Sequence, residues 1–368
     1  MTWTQLPFTA SSNFYWVNRI AHHPTTSGLL LAATSTGVWR TTDGGANWTQ
    51  TLAANAEDVD FYPGSPNLAI VGGNPGVWTS ADGGMNWTPQ ATGAVNKLPG
   101  DGGRCEVAVA PSAFQTYYVS MDRNQGEIWR STDGGATWTL QNTGNKYLSV
   151  QGWYANALWV DPTNSNVIVV GGLDMRRSSN GGVSLDNISN WQCFPDCAGI
   201  IHSAHADQHV LVSPPGYNGT TNRLVFVGDD GGIQYTSDIY AAGNGGFGDG
   251  WAYSYNNLGI TQFSGGAASP DGSLFVGGAQ DNGQPRLQSL AGPNNWNSLY
   301  SFGDGGYAAV DPATPSRVYG EYVFLEMKRS DDSGGGYGDK YNGLGDAKDP
   351  SRALFIAPFT MDPSNPAT

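Results

Sequence analysis

The sequence predicts an all-β fold, a β-propeller of four-stranded antiparallel blades, with seven blades expected and eight as the alternative. Three observations predict it. A turn motif recurs between strand-like stretches, a second motif that ends apolar strands in a proline turn runs in step with it, and glycine is abundant (52 of 368 residues) without a collagen period. Many short strands joined by tight turns have that composition, and repeats of this length mark blades.

The turn motif reads TTDGGANW at 41–48, SADGGMNW at 80–87 and STDGGATW at 131–138, each following a strand-like stretch (GVWR, GVWT, EIWR) and preceding another. Asp43, Asp82 and Asp133 are expected to accept backbone N–H bonds within the turn. The glycines supply positive φ, and Trp48, Trp87 and Trp138 are expected to pack between neighbouring blades. A fourth copy, SDDSGGGY at 330–337, places Asp332 in the turn and Tyr337 at the tryptophan position. Two further copies read as stretched: Ser178 and Asn180 lead to Trp191, and Thr236 and Asp238 lead to Trp251.

The second repeat is an apolar strand ending at Pro24, Pro63, Pro111, Pro162, Pro214, Pro270, Pro312 and Pro363. These lie about 40–55 residues apart, the length one four-stranded blade needs. Residues 2–6 (TWTQL) read as a fourth strand following a box, completed by the C-terminal end. The expected organisation is a single propeller over 1–352, with 353–368 as the first strand of a further repeat or a ring-closing strand.

Composition narrows the function. A formal net charge of −14, from 31 acidic residues against 17 Lys and Arg, makes nucleic acid and anionic membranes poor partners, because phosphate would be repelled. No apolar run approaches the length of a membrane span, so no membrane insertion is expected. Cys193 and Cys197, in CFPDC, are close enough for a small disulfide loop, leaving Cys105 over. That pairing suggests an oxidising compartment. Residues 1–20 carry no leader pattern. A secreted protein, extracellular or periplasmic, whose leader lies outside this sequence is expected, with a cytosolic protein as the alternative.

Strand alternation sorts the loops. If a blade runs A to D, the proline turn (A to B) and the Asp turn (C to D) share one face. The segments leading into A and the B–C hairpins share the other. Turn chemistry occupies the first face, so functional side chains should gather on the second. The lead-in segments GDGGRCEVAV (101–110), QGWYANALW (151–159) and HSAHADQHVLV (202–212), with hairpins such as VGDDGGIQ (227–234) and GGAQDNGQ (277–284), carry carboxylates, His, Gln, Arg and aromatics.

Asp207, Asp230, Asp281 and Asp304 are the catalytic candidates. Carboxylates clustered at one mouth raise one another's pKa, and a raised acid beside an ionised carboxylate is the pair glycoside cleavage needs. Substrate contacts are assigned to His205, Gln208, His209, Gln280, Tyr307, Tyr154, Tyr322, Arg104 and Glu106. Trp153 and Phe263 complete a stacking surface for sugar rings. On a strand, His205, Asp207 and His209 share one face and are the candidates for a divalent metal, although no resident cofactor is expected. Each assignment has a plainer counterpart. The histidine segment can be a hydrogen-bonded ladder, the Asp-Gly and Asn-Gly pairs can be hairpin turns, and the aromatics can be interblade packing. Arg104 with Glu106, Asp122 with Arg123, and Asp174 with Arg176 and Arg177 can be surface ion pairs.

The S/T-x-D-x-G-x-x-W repeat resembles the Asp-box, or BNR, repeat of sialidases, sortilin-type receptors and family 74 xyloglucanases. Sialidases also use three arginines around the substrate carboxylate and an Arg-Ile-Pro strand. Here Asn18-Arg19-Ile20-Ala21 lacks the proline and no arginine triad is evident. The Gly-rich hairpins and proline turns resemble the xyloglucanases more. That resemblance implies the architecture and a polysaccharide or glycan partner, and it carries over no catalytic residue, because those enzymes use an Asp pair between two propellers. The blocks HADQH (205–209), DDGG (229–232), QDNG (280–283) and GDGGY (303–307) are similar to those of secreted bacterial BNR-repeat proteins. The reading is a monomeric, secreted propeller that binds and hydrolyses a polysaccharide, with a non-catalytic scaffold propeller of sortilin type, metal-stabilised in one version, as the alternative.

Overall fold

The computed structural model describes residues 4–193, 196–197, 200–201, 203–244, 249–254, 261–292, 295–297 and 303–362. Among the described residues, seven four-stranded antiparallel sheets follow one another along the chain, each with its strands in chain order, so the fold is a seven-bladed β-propeller. A two-stranded ribbon, Asp196–Cys197 with Ile200–Ile201, lies between blades 4 and 5. Two compact units are present. The first, Met1–Asn256, holds blades 1 to 5 at 17–52, 56–89, 105–142, 157–187 and 208–253; the second, Asn257–Thr368, holds blades 6 and 7 at 263–297 and 308–339.

Within the first unit the core is a series of layers between successive sheets. Leu31, Val38, Val59 and Val71 fill the layer between blades 1 and 2. Ile70, Val107, Val119 and Trp138 fill the next, followed by Tyr118, Ile128, Val160 and Ile168, then Trp159, Val169, Val225 and Trp251. Alternation along each strand supplies both layers it faces. In the inner strand Cys105–Val109 of blade 3, Cys105, Val107 and Val109 face blade 2 and Ala108 faces blade 4. The second unit has its own layer of Leu274, Val276, Val310 and Val318. Cys105 is buried and free, and burial pushes its thiol up to about 12. The proposed Cys193–Cys197 pairing rests on side chains outside those described.

The Asp turns form as their composition requires. Thr41 Oγ1 donates to Asp43 Oδ1 (2.7 Å) and accepts from Gly45 N, while Asn47 donates from backbone and side chain to the Asp43 carboxylate (2.9 and 2.8 Å). Ser80 with Asp82, Ser131 with Asp133 and Ser330 with Asp332 repeat the pattern. The donors of Asn47 hold the Asp43 carboxyl down at about 2, and those of Asn86 do the same for Asp82. Trp48 does not pack between blades as expected: its Nε1 donates to the Gly45 carbonyl of its own turn and its ring lies against Trp39 and Phe14. The tryptophans of later blades do reach back to the outer edge of the preceding blade. Trp87 Nε1 donates to Thr51 Oγ1 (3.0 Å), Trp138 Nε1 to Gln90 Oε1 (3.3 Å) and Trp251 Nε1 to the Ile188 carbonyl (2.6 Å).

Two expectations are corrected. The copy in blade 4 is not stretched: Gly182 N donates to Ser178 Oγ and Ser184 N to Asn180 Oδ1, the spacing of an ordinary turn. Leu185 therefore stands at the tryptophan position and packs in the layer with blade 3, while Trp191 begins a 3-10 turn. Nor do residues 4–6 form a strand; they lead into a 3-10 turn, Pro7–Thr9, whose first position proline suits. Residues 353–362 carry no strand, and 363–368 lie outside the described residues.

Truncating Trp138, which is 1% exposed, should cost about 3–5 kcal/mol, read as a lower midpoint in urea unfolding of Trp138→Ala. The box carboxylates sit below their unfolded values, so their stabilisation is present above pH ~4 and is lost as pH falls toward ~2. An Asp43→Asn/Asp82→Asn double variant should therefore melt below the parent at pH 6 and converge with it near pH 2. An equal difference at both values would contradict this.

Candidate functional site

The face opposite the Asp turns is assembled by a recurring irregularity. The inner strand departs from regular register between Val17 and Arg19 in blade 1, Ala56 and Asp58 in blade 2, Gln208 and Val210 in blade 5, and Phe263 and Gly265 in blade 6. A bulge re-aims the extra side chain, and here it falls on Asn18, Glu57, His209 and Ser264. In blades 1 and 2 the re-aimed pair meets: Asn18 Nδ2 donates to the Ala56 carbonyl (2.8 Å) and to Glu57 Oε2 (3.2 Å).

In blade 5 the bulge delivers His209 to Asp230 on the B–C hairpin. Nε2 lies 2.7 Å from Asp230 Oδ1, and since a carboxylate only accepts, the imidazole donates. The Tyr154 hydroxyl, from the segment leading into blade 4, donates to both Asp230 oxygens (3.2 and 2.9 Å). Its ring meets His209 edge-on at 4.9 Å and Trp153 at 5.5 Å. Trp153 is 67% exposed. A carboxylate oxygen of Asp207 lies within 4.8 Å of one on Asp230. Lead-in segments and second hairpins thus do converge within the first unit, bringing together Tyr154, Asp207, His209 and Asp230.

The His205–Asp207–His209 face does not form. The strand begins only at Gln208, Asp207 has a left-handed backbone (φ 59), and His209 sits on the bulge, so side-chain alternation is broken twice. Among the described residues, neither histidine joins a set of three metal-ligating groups within 4.8 Å. His205 contributes its backbone N–H to Gln234 Oε1 (3.1 Å) and its ring Nδ1 to the Ala206 carbonyl (3.0 Å). Gln208, expected to touch substrate, is fully buried and spends its amide on Gly172 N and the carbonyls of Leu173 and His205. It fastens blade 4 to blade 5. The carboxyl driven well up is Asp229, by burial; it sits beside Asp230 but accepts from Gln234 Nε2 (3.0 Å) within the sheet.

Arg104 and Glu106 pair, but not at the surface. Glu106 is buried and accepts from Arg104 Nε and Nη2 (3.0 and 2.7 Å) and from Arg19 Nη2 (3.2 Å); Arg19 Nε donates to Asp58 Oδ1 (2.9 Å). Burial raises the Glu106 carboxyl, and the two guanidiniums oppose that rise by favouring its charged form. Asp58 also takes Val107 N (3.0 Å). This chain borders an open cavity of about 460 Å³ lined by the inner strands of blades 1 to 5. Asp60 on that wall is pushed up to about 7, by burial first and the Asp58 carboxylate second. Arg19, Asp58 and Asp60 are absent from the sequence assignments; their trace is a charge recurring on strands that otherwise bury apolar residues. The other expected pairs rearrange. Arg123 bonds Asp101 and Glu127, Asp174 accepts Trp191 N, and Arg177 donates to the carbonyls of Ile239 and Ala242.

In the second unit Asp304 Oδ1 accepts Asp281 N (3.1 Å), so Asp304 caps the Gln280–Gly283 hairpin. Asp281 takes positive φ (60), and the Gly305 backbone approaches so closely that a Cβ there would meet the Gly283 carbonyl at 1.8 Å. Tyr322 lies beside Gly303 and feels the Asp304 charge. Gln280 is partly exposed, and Tyr307 packs toward Phe359 at 6.5 Å.

Because Asp60 binds its proton more tightly when folded, it favours the folded state below pH ~4 and loses that contribution as pH rises through about 7. Asp60→Asn should flatten the fall in melting temperature between pH 5 and pH 8; an unchanged slope would contradict this.

No family model matches the chain. A xyloglucanase of Hypocrea jecorina (strain QM6a) is 31% identical over 149 residues, covering 37% of this chain and 17% of that enzyme's length. Among solved structures, a GH74 enzyme of Niastella koreensis is 17% identical (TM-score 0.41), covering 89% of this chain and 65% of that one. YCF48 of Cyanidioschyzon merolae is 15% identical (TM-score 0.44), covering 94% and 89%. Sqt1 of Saccharomyces cerevisiae is 11% identical (TM-score 0.44), covering 88% and 84%.

Proposed function

We propose that this chain binds a neutral polysaccharide at the rim formed by Trp153, Tyr154, Asp207, His209 and Asp230, and that Asp207 and Asp230 act together on a glycosidic bond. The observation that carries the reading is the approach of two carboxylates to within 4.8 Å beside an exposed Trp–Tyr step. Sugar rings stack on exposed aromatic faces, and glycoside cleavage uses two carboxyls, about 5 Å apart in enzymes that form a covalent intermediate. Asp230, which accepts from Tyr154 and His209, takes the carboxylate role; Asp207, the more buried of the two, takes the acid role. The partial similarity to a xyloglucanase supports xyloglucan as the first substrate to try. The net charge of −14 favours an uncharged chain over a polyanion.

Both Asp230 oxygens already hold hydrogen bonds. That favours a second reading, a propeller that binds glycan without cutting it, with Asp230 as a fixed acceptor for sugar hydroxyls.

Calorimetric titration with xyloglucan and a panel of neutral polysaccharides, beside an assay of released reducing ends, separates the two. Trp153→Ala should weaken binding roughly 10-fold. Asp207→Asn and Asp230→Asn should each lower reducing-end release by about 10²-fold or more while binding stays within a few-fold. Binding without release in the parent protein selects the scaffold reading. A panel that is neither bound nor cut removes both.

A further inference from the structure

The rim and the buried ion chain are joined by one bond. Arg104 Nη1 donates to the Tyr154 backbone carbonyl at 2.6 Å, while its Nε and Nη2 are both spent on Glu106. Tyr154 lies 50 residues away, in the segment leading into the next blade, and its hydroxyl holds Asp230 of the blade after that. The guanidinium is itself fixed. Glu106 is held from the other side by Arg19, and Arg19 by Asp58, whose second oxygen is tied to the backbone of blade 3.

A planar fork with five donors can hold a carboxylate and a carbonyl at once, which an ammonium cannot do with the same geometry. We propose that Arg104 is the positioning residue of the glycan rim, transmitting the placement of the Asp58–Arg19–Glu106 chain to Tyr154 and, through its hydroxyl, to Asp230 and His209. This rests on the reading that the Trp153–Tyr154–Asp230 rim is where glycan binds. Arg104 touches no substrate. It fixes where the tyrosine hydroxyl stands relative to the two carboxylates, so its loss should loosen the site and leave the blades intact. Surface ion pairs contribute little to stability, and a buried chain of this kind often contributes no more than apolar packing of equal volume. Stability alone therefore gives no reason for a charged fork at this position.

The test uses the full chain and begins without ligand. With 15N-labelled histidine, the His209 ring nitrogens report on the contact with Asp230 directly. Arg104→Lys keeps a positive charge beside Glu106 but cannot also hold the carbonyl, and Arg104→Ala removes both contacts. Both variants should shift the His209 Nε2 resonance in the same direction as Tyr154→Phe. Combining Arg104→Lys with Tyr154→Phe should add no further shift, because the two act along one path. In xyloglucan titrations Arg104→Lys should lose about as much affinity as Tyr154→Phe, and the pair should lose less than the product of the two. A His209 resonance unchanged in Arg104→Lys, or additive shifts in the double variant, would overturn the proposal. If Arg104→Ala fails to fold, the lysine variant decides alone. If the resonance moves as expected but no polysaccharide binds, the relay stands and the reading of the rim as a glycan site is what fails.

Discussion

Blades 2, 3 and 4 are apolar on both faces, and that single constraint organises the first unit. A four-stranded sheet of this size cannot bury two faces by itself, so each of these blades lies between neighbours. Burying a large apolar side chain is worth about 1.5–3 kcal/mol, and these side chains sit in layers shared between consecutive blades: Val107 and Trp138 with Ile70, Ile168 with Tyr118, Trp251 with Val169. The Asp turn serves the same end. It closes the outer hairpin tightly enough that the residue after it, usually tryptophan, reaches the previous blade, and the carboxylate satisfies amides that the tight turn leaves without strand partners.

One face of the fold is thereby committed to turn chemistry, and the other is released from it. On the released face, backbones of successive blades come very close. A Cβ at Gly72 would meet the Cys105 carbonyl at 2.1 Å, and one at Gly278 the Gly306 carbonyl at 1.6 Å. Glycine at the end of the second strand is what admits the next lead-in segment. Where blade 5 has Asp229 at the register position that Gly73 holds in blade 2 and Ala279 in blade 6, the site gains a buried carboxyl. Bulges in blades 1, 2, 5 and 6 each add a polar residue, and His209 belongs to that series as much as Asn18 and Glu57 do. The candidate site is therefore a departure from the repeat, made at positions where the repeat is otherwise most uniform.

This explains what could be read from the sequence. The seven blades, the turn hydrogen bonds, the interblade role of Trp87, Trp138 and Trp251, and the gathering of Tyr154, His209 and Asp230 on one face all follow from local pattern and alternation. The failures occur where a single residue breaks the period. Asp207 in the left-handed region and the bulge at His209 dissolve the His205–Asp207–His209 face, and nothing in HADQH marks either event. Gln208 looks like a ligand for substrate because a lone polar residue on an inner strand has no visible partner. Its partners, Gly172 and Leu173, belong to the preceding blade. Leu185 was hidden by the expectation that the repeat must end in an aromatic, whereas the turn needs only the spacing and the layer needs only apolar volume.

The ion chain was the least visible feature because its members are scattered over three blades and each looks ordinary alone. Arg19, Asp58 and Glu106 each stand on an inner strand close to where it begins. The fold brings those beginnings together around one cavity, so three unrelated segments meet at a single level. Taking charges out of water costs several kcal/mol per ion, which close pairing only offsets. The arrangement persists because every member has a partner on a different blade: Arg19 for Asp58 and Glu106, Arg104 for Glu106 and the Tyr154 carbonyl. Removing Arg19 would leave Asp58 buried without a cation, a penalty larger than the pair's own net contribution, whereas Glu106 keeps one guanidinium if either arginine is lost. Apolar packing can repack with little loss, but a closed set of charges has few alternative arrangements. Its function in the fold is to fix the relative placement of successive blades at the level where the rim side chains are presented.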